Sequence, residues 1–366
     1  MIRLGDLIKS HEQDFLYSGR LDKTQFKTFR ALSDCRQASA KKGVLYSCDK
    51  CHKVKFIYKS CGNRFCPNCQ NHRTSQWLYG QKKKLLPCVY YMITFTLPRE
   101  FRRVPRAQLW AFYKAFFDCS SQALKALAKD RLGGELGMLG VLHTNTRKLE
   151  AHPHIHYLIP GVVYNQLDGT VKKVRNKYLL GFSPLAKLFR GKFLAELKRL
   201  GISFPDYLYG KEWKVNSQAK GDGKGVLEYL SRYLVKGVVS QHALNQKGEN
   251  IELTYRENKS QQKRKIIMSE LELLKRLAHH VLPKGFRSVR EYGFLAPPAK
   301  KKLIRMQLLL DVHLEEDEPP ILPKPKCPCC QGPMSILLAQ VSARWVKARC
   351  QAHLGLDPPR KMRLEG

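Results

Sequence analysis

Between residues 89 and 97, Val89, Tyr91, Ile93, Phe95 and Leu97 alternate with Tyr90, Met92, Thr94 and Thr96, a period of two that predicts a β-strand closed by Pro98. The period then lengthens. Over residues 105–130, Leu109, Phe112, Phe116, Leu124 and Leu127 recur at multiples of three to four, so a helix with one face on a sheet is expected, stopped by Gly133-Gly134. Residues 138–143 and 154–159 read as two more strands, 185–200 as a helix, and Ile251, Leu253 and Tyr255 as a further alternating strand. Ser269, three residues before Glu272, has the form of a capping box opening a helix through His280. Strands and helices interleaved in this way predict one α/β or α+β domain around an open sheet.

Two zones of different composition flank it. Residues 1–82 are rich in cysteine and lysine. After Ala296-Pro297-Pro298 the chain runs through a basic stretch, the acidic Glu315-Glu316-Asp317-Glu318, and Pro319, Pro320, Pro323 and Pro325 before Cys327, a composition of extended linker. The expected division is therefore 1–82, 83–298 and a small tail, 299–366. The longest apolar stretch, roughly residues 85–97, is shorter than the ~20 residues of a membrane span, and MIRLGDLIKSHEQD breaks into charges too early for a signal peptide. No membrane partner is expected.

Charge sharpens the picture. Lys and Arg number 66 against 30 Asp and Glu, a formal net charge of +36, and +32 of it lies in the first 300 residues. An excess of that size and sign suits a polyanion, nucleic acid first of all. A hydrophobic content of 43% with 10% aromatic residues excludes a wholly disordered basic protein.

Twelve cysteines in a chain lacking an export signal point to zinc in a reducing compartment instead of disulfides. Cys48-x2-Cys51 followed by Cys66-x2-Cys69 gives C-x2-C-x14-C-x2-C, which lets two tight turns converge on one tetrahedral Zn2+. Cys35 and Cys61, with His52 and His72, offer a second site or a replacement ligand. Cys327-x2-Cys330, with Cys350-x2-His353 downstream, has the form of another small knuckle, with Cys329 leaving the ligand choice open. Cys88 and Cys119 fit buried small hydrophobes. Lys50, Lys53, Lys55, Lys59, Arg64 and Arg73 around the first cysteines fit a DNA-binding role for that module.

In His152-Pro153-His154-Ile155-His156 the alternation of a strand puts His154 and His156 on one face roughly 7 Å apart, where both can hold one divalent ion. Residues 225–237 suit a helix in which Leu227, Leu230, Leu234 and Val238 form an apolar stripe, Tyr229 and Tyr233 lie some 100° away, and Arg232 and Lys236 sit beside Tyr229. Tyrosines four residues apart are by themselves a packing pattern. Beside a histidine pair on a strongly basic chain they acquire a chemical use. A phenol attacks a phosphodiester only with help, and a histidine-held metal can polarise the phosphate while Arg232 and Lys236 hold it.

Together these residues resemble the HUH single-strand endonucleases, and more closely the two-tyrosine rolling-circle transposases of the insertion sequence 91 group. The resemblance runs through Asn63-Arg64-Phe65-Cys66-Pro67-Asn68-Cys69-Gln70, Phe95-Thr96-Leu97-Pro98, Leu142-His143-Thr144, His152-Pro153-His154-Ile155-His156 and Tyr229-Leu230-Ser231-Arg232-Tyr233. It continues in His280-Val281-Leu282-Pro283-Lys284-Gly285-Phe286 and Arg290-Glu291-Tyr292-Gly293. Two positions depart from the family: Asn145-Thr146-Arg147 stands where an aromatic residue is usual, and Lys236 is one basic residue where two are common.

The resemblance implies an α+β HUH fold, a central antiparallel sheet flanked by helices, with an N-terminal zinc module. It implies Mg2+ or Mn2+ on His154 and His156, with His152 or Glu228 as the candidate third ligand. It further implies Tyr229 and Tyr233 as nucleophiles forming a 5′-phosphotyrosine. The implied partners are single-stranded DNA at element ends and target, and a host helicase or replication proteins. The implied location is a prokaryotic cytoplasm, at the nucleoid. Replication initiators and relaxases share this chemistry, and a non-enzymatic zinc protein binding single strands shares the composition. No G-x4-G-K-[ST] loop is present, so no fused helicase is expected.

Overall fold

Five strands pair antiparallel throughout in the order Val289–Tyr292, Met138–Asn145, Ala151–Pro160, Tyr90–Thr96, Lys214–Ala219. The computed structural model that shows this describes residues 2–67, 69, 71–235, 238–257, 260, 262–312, 318–321 and 323–346, with the backbone alone at 71, 229 and 231–235. Antiparallel pairing throughout makes the domain α+β, with the central sheet expected.

Cross-strand partners project to the same side of a sheet, so the register sorts the side chains into two faces. Ile93, Phe95, Leu142, Ile155, Tyr157 and Ile159 share one face and are buried with residues of the helices Leu109–Leu132 and Phe182–Arg199 in the main core. The aromatic rings interlock there, Phe95 with Phe189 at 5.0 Å and with Tyr157 at 5.8 Å between centroids. Gly140 is glycine for packing, because a Cβ would stand 2.7 Å from the Tyr157 ring.

The opposite face carries Tyr90, Thr94, Thr96, Leu139, Val141, His143, His154, His156 and Leu158. Its apolar end is covered by the helix Lys224–Val235, whose Val226, Leu227 and Leu230 join Tyr90, Leu139, Val141 and Leu158 in one buried cluster. Its other end carries the histidines. A second, three-stranded antiparallel sheet joins Leu244–Lys247, Asn250–Arg256 and Lys263–Ser269.

The elements expected from periodicity are present with shifted ends. The helix after Pro105 begins at Leu109 following a short 3-10 turn, and the histidine strand starts earlier than expected, at Ala151, with Pro153 inside it. Ser269 caps the helix Glu270–His279 by accepting from the Glu272 N–H at 3.2 Å. The Glu272 carboxylate turns instead to Arg276, 2.8 Å away, so only half of the capping box forms.

The chain divides into two compact units, 73–320 and a unit that joins 1–72 with 321–366. The second unit holds the helices Leu4–Ser10 and Lys23–Ser33 and a sheet in the order Met334–Ser342, Lys42–Cys48, Val54–Tyr58. The expected division into three consecutive segments is corrected here. The described part of the tail supplies an edge strand of the N-terminal module, because Met334–Ser342 pairs along the whole of Lys42–Cys48. Among the described residues, no helix is long and apolar enough to cross a membrane.

Candidate active site and cysteine clusters

His143 is paired directly with His154, and Thr94 with His156, across three neighbouring strands. The register therefore gathers His143, His154 and His156 on one face, with ligand atoms all within 4.8 Å of one another. Three nitrogens this close together could serve a single divalent ion. His154 Nδ1 lies 2.7 Å from the His152 carbonyl oxygen, which can only accept, so Nδ1 carries the proton and the Nε2 lone pair is left for a metal. His156 Nδ1 lies 2.8 Å from Thr94 Oγ1; were His156 to ligate a metal through Nε2, Nδ1–H would donate to the hydroxyl.

Burial disfavours the charged imidazolium at all three. It pushes His154 down to about 4, with the His152 carbonyl opposing, and His156 down to about 3, with His154 adding to the shift. His143 is lowered by burial and by both other rings. All three are neutral at pH 7, the protonation state a metal binds.

The third member of the triad is a correction. His152 is set outside it, and Glu228 is exposed on the tyrosine helix and pairs with Lys82 at 3.9 Å. His143 occupies the place because strand register puts it opposite His154; in the sequence it is a lone histidine at a strand end.

The triad lines a cleft of about 1160 Å3 together with the turn 145–150 and the strand segment 253–257. Basic groups edge it: the Arg147 guanidinium donates to the Arg256 carbonyl, and the Lys148 ammonium stands 5.9 Å from the centre of the Tyr255 ring. Tyr229 and Tyr233 fall one turn apart on Lys224–Val235, the helix packed on the same sheet face as the triad. Gly223, at φ +80°, starts that helix over the Tyr90 ring. Arg232 is described by its backbone within the same helix, and Lys236 lies outside the described residues.

The cysteines fall into two sets of four. Cys35, Cys61, Cys66 and Cys69 form one, with Sγ–Sγ separations of 3.5 Å for Cys35–Cys66 and 3.6 Å for Cys61–Cys69. Cys48, Cys51, Cys327 and Cys330 form the other. The expectation that Cys48, Cys51, Cys66 and Cys69 share one ion is thereby corrected. The strand Lys42–Cys48 carries Cys48 to the end paired with Met334, shortly after the Cys327–Cys330 turn, while the loop after Val54–Tyr58 returns Cys61, Cys66 and Cys69 to Cys35 just past the end of the second helix. Arg64, half-buried between Cys61 and Cys66, has its pKa lowered to about 10 by burial. Cys350 and His353 lie outside the described residues.

Comparison with known proteins decides the family. The family described as "Transposase zinc-binding domain", of the insertion sequence 91 type, matches residues 7–97, and the family described as "Putative transposase" matches residues 137–302. The chain belongs to the insertion sequence 91 transposases. It is 30% identical over 275 residues to the transposase for insertion sequence element IS801 of Pseudomonas savastanoi pv. phaseolicola, covering 69% of this chain and 65% of that protein. It is 29% identical over 301 residues to "Putative transposase y4qJ" of Sinorhizobium fredii, covering 75% of each. A solved structure of the conjugative relaxase TrwC in complex with mutant OriT DNA aligns over 59% of this transposase and 72% of that chain, at 11% identity and a TM-score of 0.24, a likeness too weak to bear on mechanism. The four cysteines at 35, 61, 66 and 69 all lie inside the zinc-binding match, and their spacing fits the tetrahedral thiolate cage zinc takes.

Proposed function

We propose that this transposase nicks and joins single-stranded DNA at the ends of its element through a 5′-phosphotyrosine, as in rolling-circle transposition. The observation that carries the reading is the placement of the His143, His154 and His156 triad and the Tyr229/Tyr233 helix on one face of one sheet, the triad in a cleft that Arg147, Lys148 and Arg256 also line. The three neutral imidazoles would hold a divalent ion, Mg2+ or Mn2+ in this reading, which when bound would polarise and orient the scissile phosphate.

The chain's own residues do the rest. The phenol oxygen of Tyr229 or Tyr233 attacks phosphorus, the P–O3′ bond breaks, and the 3′-oxygen leaves as a hydroxyl with the phenol's proton delivered through solvent. The 5′-phosphate remains esterified to tyrosine, so the bond energy is kept and no nucleotide cofactor is needed. The second tyrosine, about 6 Å along the helix axis, takes the next strand. A 3′-hydroxyl then attacks the phosphotyrosine and restores a diester, releasing the phenol. Arg232, on the same helix as Tyr229, and Lys236, close to it in the sequence, neutralise phosphate charge; Arg64 belongs to the zinc module's share of the DNA contact. Host helicase or replication proteins supply the single strand, at the nucleoid.

The test mixes purified protein and Mn2+ with labelled single-stranded oligonucleotides covering the flanks of its own gene, and looks for an adduct that survives denaturing electrophoresis. The adduct is expected in wild type and absent in the Tyr229→Phe/Tyr233→Phe double variant and in His154→Ala. Tight binding of both end oligonucleotides with no adduct in either metal would instead favour a non-enzymatic single-strand-binding protein. Cleavage without joining of two ends would favour an initiator or relaxase.

A further inference from the structure

We propose that Cys48, Cys51, Cys327 and Cys330 form a second Zn2+ site, which fastens the C-terminal strand to the N-terminal module. Cys327 and Cys330 lie beyond both family matches, which end at residues 97 and 302. Their geometry nevertheless repeats that of Cys48 and Cys51 bond for bond. The Cys48 carbonyl accepts from His52 N–H at 3.1 Å and the Cys327 carbonyl from Gln331 N–H at 3.1 Å. Cys48 N–H donates to the Lys53 carbonyl at 2.9 Å and Cys327 N–H to the Gly332 carbonyl at 2.9 Å. His52 and Gln331, each following the second cysteine of its turn, take left-handed φ values of 57° and 56°. The amides of Lys50 and Cys329 both point at the first sulfur of their turns, at 3.4 Å.

Such a turn aims N–H dipoles at a thiolate, the form a metal takes. Two of them, made by parts of the chain more than 270 residues apart, converge on one point. The sulfur separations are 3.4 Å for Cys48–Cys330, 3.5 Å for Cys51–Cys330 and 3.6 Å for Cys51–Cys327. A tetrahedron with Zn–S bonds of about 2.3 Å has edges of about 3.8 Å, whereas a disulfide would bring sulfurs to about 2.05 Å. The four atoms outline a metal cage.

The strand that follows shows why a metal is needed. Of the nine residues in Met334–Ser342 only Met334 is buried, while Ile336 and Leu337 are 63% and 51% exposed. Apolar burial therefore holds this strand weakly, and an ion shared between the two turns replaces it as the anchor. Bound zinc fixes Cys327 beside Cys48, from which the pairing of Met334 with Cys48 onward to Ser342 with Lys42 follows.

Zinc content of the full-length protein tests the site. Metal released by a mercurial and measured with a chromogenic chelator should come to two ions per chain in wild type. It should fall to one in Cys327→Ser/Cys330→Ser and to one in Cys48→Ser/Cys51→Ser, with no further loss when all four are changed together. Cys66→Ser/Cys69→Ser should also lose one, and combining it with Cys327→Ser/Cys330→Ser should leave none. Because a variant of the first site could unfold the module, Co2+ reconstitution supplies a second readout: the tetrathiolate charge-transfer absorption of wild type should halve in Cys327→Ser/Cys330→Ser. The segment after residue 320 should also become about tenfold or more susceptible to limited proteolysis in that variant. Retention of two zinc ions and full Co2+ absorption in Cys327→Ser/Cys330→Ser would overturn the proposal. So would separate ions lost from the 48/51 and 327/330 variants, as pairing of Cys48 and Cys51 with Cys66 and Cys69 requires.

Discussion

His143 and His154 face each other directly across the antiparallel pair Met138–Asn145 and Ala151–Pro160, with ring centroids 5.1 Å apart. The His156 ring is 4.7 Å from that of His143, so no two-histidine site exists at this place without the third ring at its edge. His143→Ala is accordingly expected to lose Mn2+ affinity by at least about 100-fold and to abolish adduct formation, as His154→Ala does. His152→Ala should retain both, since His152 stands outside the triad. Titration calorimetry with Mn2+ reads the affinities, and a His143→Ala protein that binds the ion like wild type would remove His143 from the centre.

Thr94 supports the same centre from the next strand through its 2.8 Å contact with His156 Nδ1. Thr94→Val keeps the shape and removes the acceptor, leaving the His156 tautomer and ring orientation unset. Metal affinity or cleavage rate should fall about 10- to 100-fold, with the melting temperature little changed. Thr94→Ser keeps the hydroxyl and should restore most of the loss. Equal defects in the valine and serine variants would mean that packing, not the hydroxyl, matters at this position.

His280 makes stability depend on pH. Its Nε2–H donates to the Leu149 carbonyl at 3.0 Å and its Nδ1 accepts from the Thr144 hydroxyl at 3.2 Å, so the neutral ring ties the strand end after His143 to the helix Glu270–His279. Burial pushes the imidazole down to about 4, against the opposing pull of the Leu149 carbonyl, from an unfolded value of about 6.5. The unfolded chain therefore binds the extra proton first. The contribution is complete above about pH 6.5 and is lost as pH falls toward 4, at up to about 1.4 kcal/mol per pH unit. Urea unfolding of His280→Gln between pH 4 and 7 should show a shallower slope than wild type, by up to one proton. Parallel slopes would mean that His280 does not titrate with folding.

Much of this arrangement was legible along the chain because it depends on local period. The alternation around Phe95 and Ile155 is the sheet itself, and the 3.6-residue stripe of Leu227 and Leu230 is the packed side of the tyrosine helix. What depends on register was not legible. His143 joins His154 and His156, and Cys48 leaves Cys66 for Cys327, through pairings between strands that no spacing in the sequence encodes. The short strands Lys214–Ala219 and Val289–Tyr292 also carry too few alternating apolar residues to announce themselves; their place at the sheet's edges explains why they need few.

Two glycines at the start of the tyrosine helix, Gly223 just before it and Gly225 in its first turn, should respond to alanine with opposite signs. Gly223 has φ +80°, a left-handed backbone that strains any residue with a Cβ, and an added Cβ would sit 2.6 Å from the Tyr90 ring. The ring cannot retreat easily, because Tyr90 is buried and its hydroxyl accepts from the Leu86 N–H at 2.8 Å. Gly223→Ala should cost roughly 1 kcal/mol or more, and it should slow adduct formation even well below its melting temperature, because the Leu227 N–H to Gly223 carbonyl bond of 3.0 Å that opens the helix is displaced. Gly225 lies within the same helix with nothing within 4 Å of a built Cβ. Gly225→Ala should instead stabilise by up to about 1 kcal/mol, with cleavage unimpaired. Thermal melting and single-turnover adduct kinetics of the two variants side by side separate helix stability from helix placement. Equal cleavage rates in both would show that the tyrosines do not depend on how this helix is seated on the sheet.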